Sequence, residues 1–296
     1  MAKIGRLLTA MVTPFNAKGE VDYKQAQKLA KALIDSGSDG LVVTGTTGER
    51  PTLTDEEQLD LFTAVREAIG KKATIIAGSG GNCTRESIAM TAAAAKRGVD
   101  AALLVVPYYN KPTQEGMYQH FKSIAGSTKL PCILYNVPGR TGANLMPETV
   151  IRLSKIGNII GIKEASGNLD QSAKIITGAG KDFLVWSGND GDTFAIMAMG
   201  GYGVISVASH LVGKQLQEMI QQVVKGKMKE AAANQMRLLP LIDALFVVSN
   251  PIPIKYALNH VGFRVGKPRL PLVEPDEKSA RVIEDALKKY TIDLKV

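Results

Sequence analysis

Short runs of branched aliphatic residues recur along the chain, set off by glycine, asparagine or serine. Between them lie stretches whose apolar positions return every three or four residues. Runs that short read as buried strands, the periodic stretches read as amphipathic helices, and their alternation is the pattern of a parallel sheet covered by crossover helices. Strands are predicted near Leu7 to Val12, Gly40 to Val43, Thr74 to Ala77, Ala101 to Val106, Cys132 to Tyr135, Ile159 to Lys163, Phe183 to Ser187 and Val204 to Val207. Eight strand and helix pairs suggest a closed (β/α)8 barrel.

The helices carry their own signals. Ala26, Leu29, Ala30, Leu33 and Ile34 form one stripe within Tyr23 to Ser36, with lysines opposite. Thr54-Asp55-Glu56-Glu57 reads as a capping box, in which the Thr hydroxyl and the Glu three residues on satisfy free N–H groups. Thr84 is expected to cap an Ala-rich helix running to about Arg97 and ended by Gly98. Further helices are predicted near Gln114 to Ala125, Pro147 to Ser154, Leu169 to Thr177, Asp190 to Met199 and Val212 to Val224. Beyond the eighth unit only helical patterns follow: Met228 to Leu245, Pro251 to His260 and Asp276 to Tyr290, with a Pro-rich loop from Lys267 to Pro275. The expected organisation is an α/β TIM barrel over residues 1–224 with a C-terminal helical appendage over 225–296 packed on it.

Composition narrows the partners. With 45% hydrophobic and 22% charged residues, the 296-residue chain has ordinary globular material. The net charge of +8 brings no dense basic block and aromatics are only 5%, so nucleic acid is not expected as a partner. Cys83 and Cys132, far apart, give neither a disulfide framework nor ligand spacing, and read as reduced packing residues of a cytoplasmic protein. Met1 to Arg6 lacks the apolar segment of a signal peptide. The longest stretch free of Asp, Glu, Lys and Arg after Asp192, Thr193 to Gly213, is broken by Gly200, Gly201 and Gly203, and reads as helix, turn and strand; no membrane partner is expected. The three histidines, His120, His210 and His260, are scattered, so no metal site is expected.

In a barrel of this kind the chemistry sits at the carboxyl ends of the strands. Lys163 closes an apolar run there. A lysine so placed either reaches solvent or pairs with a neighbour such as Glu164, or it is partly desolvated; desolvation lowers its pKa and equips the amine to attack a carbonyl and form a Schiff base. Tyr135 ends the preceding strand, either as a proton shuttle or with its hydroxyl in water. Gly45-Thr46-Thr47-Gly48 can turn its N–H groups on a carboxylate or phosphate, or can be a tight turn and no more. Gly78-Ser79-Gly80-Gly81 lacks a dinucleotide fingerprint and reads as a turn. Arg140 is either a bidentate carboxylate ligand or a surface cation, and Gly188 stands in the loop after strand seven.

Gly45-Thr46-Thr47-Gly48-Glu49, Pro107-Tyr108-Tyr109-Asn110-Lys111-Pro112, Tyr135-Asn136-Val137-Pro138-Gly139-Arg140-Thr141-Gly142, Gly161-Ile162-Lys163-Glu164-Ala165 and Asn250-Pro251-Ile252-Pro253-Ile254-Lys255, in this order, resemble the dihydrodipicolinate synthase family. The likeness runs from about Gly5 to the C-terminal helices. It implies a cofactor-free lyase that condenses pyruvate with L-aspartate 4-semialdehyde in lysine and diaminopimelate biosynthesis. Lys163 would carry the Schiff base, and Thr46, Thr47, the Ile205 backbone and Gly188 would bind substrate. Tyr135 would move protons, linked through Thr46 to Tyr109 of a neighbouring subunit, and Arg140 would hold the semialdehyde carboxylate. The family resemblance further implies a homotetramer, with Tyr108 in its tight interface. Asn82, Glu86 and Tyr108 match the family's allosteric lysine site. Arg50, Pro51, Asp55 and Gln58 depart from the lysine-inhibited pattern, so weak or absent inhibition is expected. Two other pyruvate Schiff-base lyases, N-acetylneuraminate lyase and 2-keto-3-deoxy sugar acid aldolase, share the lysine, the tyrosine and the glycine loop; the Gly139-Arg140-Thr141 segment and the paired tyrosines favour the synthase. A non-catalytic homologue would have no physical need for an amine at a buried strand end.

Overall fold

The computed structural model describes residues 4–295; Met1 to Lys3, the start of the stretch read as lacking a leader, and Val296 lie outside the described residues. The elements run β1 (Leu7–Ala10), α1 (Tyr23–Asp35), β2 (Gly40–Val43), α2 (Asp55–Ile69), β3 (Thr74–Gly78), α3 (Thr84–Lys96), β4 (Ala101–Val105), α4 (Gln114–Gly126), β5 (Cys132–Asn136), α5 (Pro138–Thr141), α6 (Pro147–Leu153), β6 (Ile159–Glu164) and α7 (Leu169–Gly178). They continue with β7 (Leu184–Ser187), α8 (Thr193–Ala198), β8 (Gly203–Ser206), α9 (Ser209–Val224), α10 (Met228–Ala244), α11 (Ile252–His260) and α12 (Glu277–Leu287). The eight strands pair in parallel in chain order and close when β8 pairs with β1, giving the (β/α)8 barrel.

Alternation along each strand sorts the side chains. Leu8, Val42, Ile76, Leu103, Ile133, Trp186 and Ile205 fill the barrel interior, while Leu7, Leu41, Ile75, Leu104 and Leu134 pack outward under the helices. Between β5 and β6 the register slips: Cys132 pairs with Ile159 but Ile133 pairs with Gly161, so Ile160 has no partner of its own. Beyond the slip Tyr135 lies opposite Lys163, which in turn lies opposite Trp186 on β7.

Thr54 and Glu57 form the capping box at the start of α2. The cap expected at Thr84 is not made. Cys83 occupies the cap position without a side-chain bond, and the Thr84 hydroxyl pairs instead with His120 Nδ1 at 2.8 Å. The single helix expected over Asp190 to Met199 is a 3-10 turn at Asp190–Asp192 followed by α8. The helix expected from Val212 begins at Ser209, because Val207 N–H and Ala208 N–H ahead of it donate to the Asp190 carboxylate; Val212 is non-helical and marks a kink. The segment after β5, read as a loop, contains the helical turn α5.

After α9 the described elements are the helices α10 to α12, the last two joined by a loop over residues 261–276. The C-terminal helices share one hydrophobic cluster with the barrel, in which Leu238, Ile254 and Ile283 join Leu7, Leu41 and Leu211.

Candidate active site

Lys163 projects from the carboxyl end of β6 into the barrel mouth, only 6% exposed, its Nζ 4.4 Å from the centre of the Tyr135 ring. Both strands run one residue further than the sequence pattern suggests, to Asn136 and Glu164. The alternative in which Lys163 pairs with Glu164 fails on geometry. Glu164 faces outward, where its carboxylate accepts from Asn136 Nδ2 at 3.1 Å, the Ser166 N–H at 2.7 Å and Gln171 Nε2 at 3.2 Å. Among the described residues, no carboxylate forms an ion pair with Lys163.

A cavity of about 520 Å³ opens beside this pair, with Tyr135, Thr46, Gly45 and Arg140 in its walls. Gly188 closes the other flank of the lysine: its N–H donates to Glu164 O at 2.7 Å, and a Cβ added there would lie 3.2 Å from Lys163 Cε and 2.5 Å from Ala165 Cβ. Ile205 is fully buried on β8 within the interior cluster that includes Tyr135. Next to it, Asp190 accepts from Ser206 Oγ and from Val207 N–H at 2.9 Å; burial pushes its carboxyl above the usual range, against the pull of these bonds and of Lys163.

The Gly45 to Gly48 loop is bounded by Thr44 and Glu49, both left-handed at φ 56°. Such a conformation costs a non-glycine residue about 1–3 kcal/mol and persists only where its surroundings over-determine it. Here they do. Thr13 Oγ1 donates to Gly48 O at 2.6 Å, and the Glu49 carboxylate accepts from Lys255 Nζ at 2.7 Å and from the Arg269 N–H at 2.8 Å. Among the described residues, the N–H groups of Gly45, Thr46, Thr47 and Gly48 find no protein acceptor, which leaves them free for an anion.

Lys255, on α11, is a second buried lysine. Its Nζ donates to Glu49 and to the carbonyls of Thr13 at 3.0 Å and Lys267 at 3.1 Å, with the Phe15 ring 4.1 Å away. Burial pushes its pKa down to about 8, with Glu49 acting in the opposite direction.

Sequence reasoning missed Asn250 as a site residue, although it stands in one of the motifs. It is 6% exposed, its Nδ2 donates to Thr47 Oγ1 at 2.9 Å, and its carbonyl accepts from Arg140 Nη2 at 3.0 Å. A polar residue followed by two prolines, between two helices of the appendage, was the available signal.

Arg50, Pro51, Asp55, Gln58, Glu86 and Tyr108 line the same cavity farther out. The Arg50 guanidinium is pinned: Nε donates to Gln58 Oε1 at 3.1 Å, Nη2 to Ser79 O at 3.3 Å and Nη1 to Gly80 O. Asn82 Nδ2 donates to Tyr108 O at 3.2 Å. Tyr109 is not brought into the site of its own chain; it is 91% exposed with φ 72°. Of the histidines, His210 is fully buried between Val12 N–H and Val207 O, and burial pushes it down to about 4; burial has the same effect on His120.

A family model described as the dihydrodipicolinate synthetase family matches residues 3–290. The chain belongs to this family. Over all 296 residues, 100% of both chains, it is 64% identical to the 4-hydroxy-tetrahydrodipicolinate synthase of Dehalococcoides mccartyi. A solved dihydrodipicolinate synthase from Bacillus anthracis superposes with a TM-score of 0.95 at 46% identity, covering 98% of this chain and 99% of that one. The chloride-inhibited dihydrodipicolinate synthase of Acinetobacter baumannii, solved in complex with pyruvate, gives 0.94 at 41% identity over 97% and 99% of the two chains. Membership of the dihydrodipicolinate synthetase family thus rests on the full barrel and its C-terminal helices together. No helix among the described residues is long and apolar enough to cross a membrane.

Proposed function

We propose that this protein is a lyase that condenses pyruvate with L-aspartate 4-semialdehyde to give 4-hydroxy-tetrahydrodipicolinate, the committed ring-forming chemistry of lysine and diaminopimelate biosynthesis. The observation that carries this reading is an amine with no ion pair among the described residues, Lys163, held against the Tyr135 ring beside a cavity with an anion-ready loop on one wall and Arg140 on another.

In this reading Lys163 Nζ adds to the keto carbon of pyruvate and water is expelled, leaving a Schiff base. The iminium draws electrons from the methyl carbon, which loses a proton and becomes the enamine nucleophile. Tyr135, against the amine, moves protons to and from the carbinolamine. Thr46, Thr47 and the free N–H groups of their loop hold the pyruvate carboxylate, and the Ile205 backbone and Gly188 shape the floor. The enamine carbon attacks the aldehyde of the second substrate while Arg140 holds that substrate's carboxylate. The substrate amine then adds to the iminium carbon, closes the ring and displaces Lys163. No cofactor enters any step.

Tyr109, 91% exposed in one chain, is assigned to the site of a neighbouring subunit in a homotetramer, linked through Thr46 to Tyr135, with Tyr108 in the tighter interface. The cytoplasm is the assigned compartment. Inhibition by L-lysine is weak or absent, because the pinned Arg50 guanidinium, bonded to Gln58, holds positive charge in the cavity wall it shares with Glu86, where a cationic amino acid would dock. Incubation with pyruvate and borohydride, followed by mapping of the adduct, should label Lys163. Aspartate semialdehyde should then turn over faster than N-acetylneuraminate or 2-keto-3-deoxy sugar acids. Pyruvate trapped in Lys163→Ala, or faster turnover of sugar acids, would sink the reading; millimolar L-lysine that clearly slows the reaction would sink the Arg50 argument alone.

A further inference from the structure

We propose that Asn250 is a positioning residue that sets the polarity of the Thr47 hydroxyl, so that Thr47 presents its proton to the carboxylate bound by the Gly45 to Gly48 loop. The inference rests on the reading of that loop given above. An amide NH₂ only donates, so Thr47 Oγ1 must accept in the 2.9 Å bond from Asn250 Nδ2. The hydroxyl's own proton is thereby turned elsewhere, and among the described residues it meets no protein acceptor. Thr47 is 2% exposed and adjoins Thr46 on the cavity wall, so the direction left to that proton is toward the loop's free N–H groups.

The carbonyl of the same residue accepts from Arg140 Nη2 at 3.0 Å. One backbone position therefore anchors both groups assigned to carboxylates, one per substrate. Asn250 itself is held from behind by Lys255, five residues on, whose bonds to Glu49 and Thr13 fix the helix start to the far end of the loop. The remaining amide oxygen, Oδ1, is buried without a partner among the described residues, a state that costs stability and is retained here in a residue whose amide nitrogen and carbonyl both meet site groups.

Asn250→Asp tests the assignment with nearly the same shape. A carboxylate only accepts, so it reclaims the Thr47 proton and removes one charge-assisted hydrogen bond from the substrate. The half-saturating pyruvate concentration in borohydride trapping should rise by roughly tenfold to a hundredfold, the range for loss of a hydrogen bond to a charged group, with the trapped adduct still reaching one per Lys163. Asn250→Ala, which leaves the hydroxyl free to rotate, should raise it by less. A half-saturation in Asn250→Asp within about twofold of the unaltered chain overturns the proposal, since a lost hydrogen bond of this kind cannot be so small. So does a larger effect from alanine, which would signal packing. If Asn250→Asp does not fold, a cycle with Thr47→Val decides. Asn250→Ala should then add nothing to Thr47→Val, and an independent, additive effect overturns the proposal. An unaltered chain that fails to trap pyruvate defeats the reading of the site instead, so the two failures are distinguishable.

Discussion

Among the described residues two lysines lie buried, and their surroundings are opposite. Lys255 spends its three N–H donors on Glu49 and two carbonyls, under the Phe15 ring, where no substrate can reach. Lys163 has instead the aromatic face of Tyr135, itself in the cavity wall, and the nearest acid along its own strand points away. Burial alone therefore does not make a nucleophile. What matters is whether the lone pair, once the proton leaves, has somewhere to go, and at Lys255 every direction is occupied by an acceptor.

Removing each lysine in turn should break the likeness completely. Lys163→Ala is expected to lower turnover by roughly 10³-fold or more, as loss of a covalent nucleophile does. Its melting temperature should stay close to that of the unaltered chain, because no ion pair is lost; a melting point that collapses would show that Lys163 is structural. Lys255→Met should do the reverse. Leaving Glu49 buried and unpaired costs about 3–5 kcal/mol in denaturant unfolding. Saturating pyruvate should still be trapped at one per folded molecule, with a higher half-saturating concentration because Lys255 also steadies Asn250 and the loop, and adding Glu49→Gln should recover part of the stability. If Lys255→Met abolished the adduct in folded protein, the division between the two amines would fail.

His210 extends the comparison to a group that burial keeps neutral. Its pKa falls from the ordinary 6.5 to about 4 in the folded chain, through desolvation. The unfolded chain binds this proton near pH 6.5 and the folded chain only near 4, so stability is intact above the upper value and declines as pH falls through the window. Each pKa unit is worth about 1.4 kcal/mol, so His210 accounts for roughly 3 kcal/mol of acid sensitivity. Unfolding of His210→Asn followed between pH 7 and 4 should decline less steeply by about that amount; an unchanged slope would place the sensitivity elsewhere. The smallest effect sets the scale for residues outside both clusters. Thr54→Ala, which removes half of the α2 capping box, should cost about 1 kcal/mol and leave trapping untouched.

The barrel was legible because each strand announces itself locally. The runs at Gly40 to Val43 and Cys132 to Tyr135 need only their own composition and flanks to be read, and the capping box needs only Thr54 and Glu57. What escaped the reading depends on distant partners. The start of α9 differs from the pattern because the Val207 and Ala208 N–H groups just ahead of it are held by Asp190, 17 and 18 residues away, which lets the Ser206 hydroxyl accept from the Ser209 N–H. Thr84 has the chemistry of a cap, but His120 takes its hydroxyl. Asn250 was visible as a motif yet its partners lie 110 and 203 residues away, so its role could not be read from neighbours. The pattern marks Lys163 and Tyr135 as adjacent strand ends, and they are adjacent; that the lysine faces inward while Glu164 faces outward depends on the slipped register, which no local pattern marks.

That slip decides more than alignment. Side chains on a strand obey an odd and even count, and Ile160, which leans inward, is separated from Glu164 by an even number of positions. In an uninterrupted β6 the carboxylate would share the inward side with Ile160 and the amine would be sealed under the helices, as Ile159 and Ile162 are. One unpaired residue inverts the count, and an acid pocket becomes an amine pocket. The chemistry of this barrel thus turns on a miscount of one, placed three residues before the group that benefits from it.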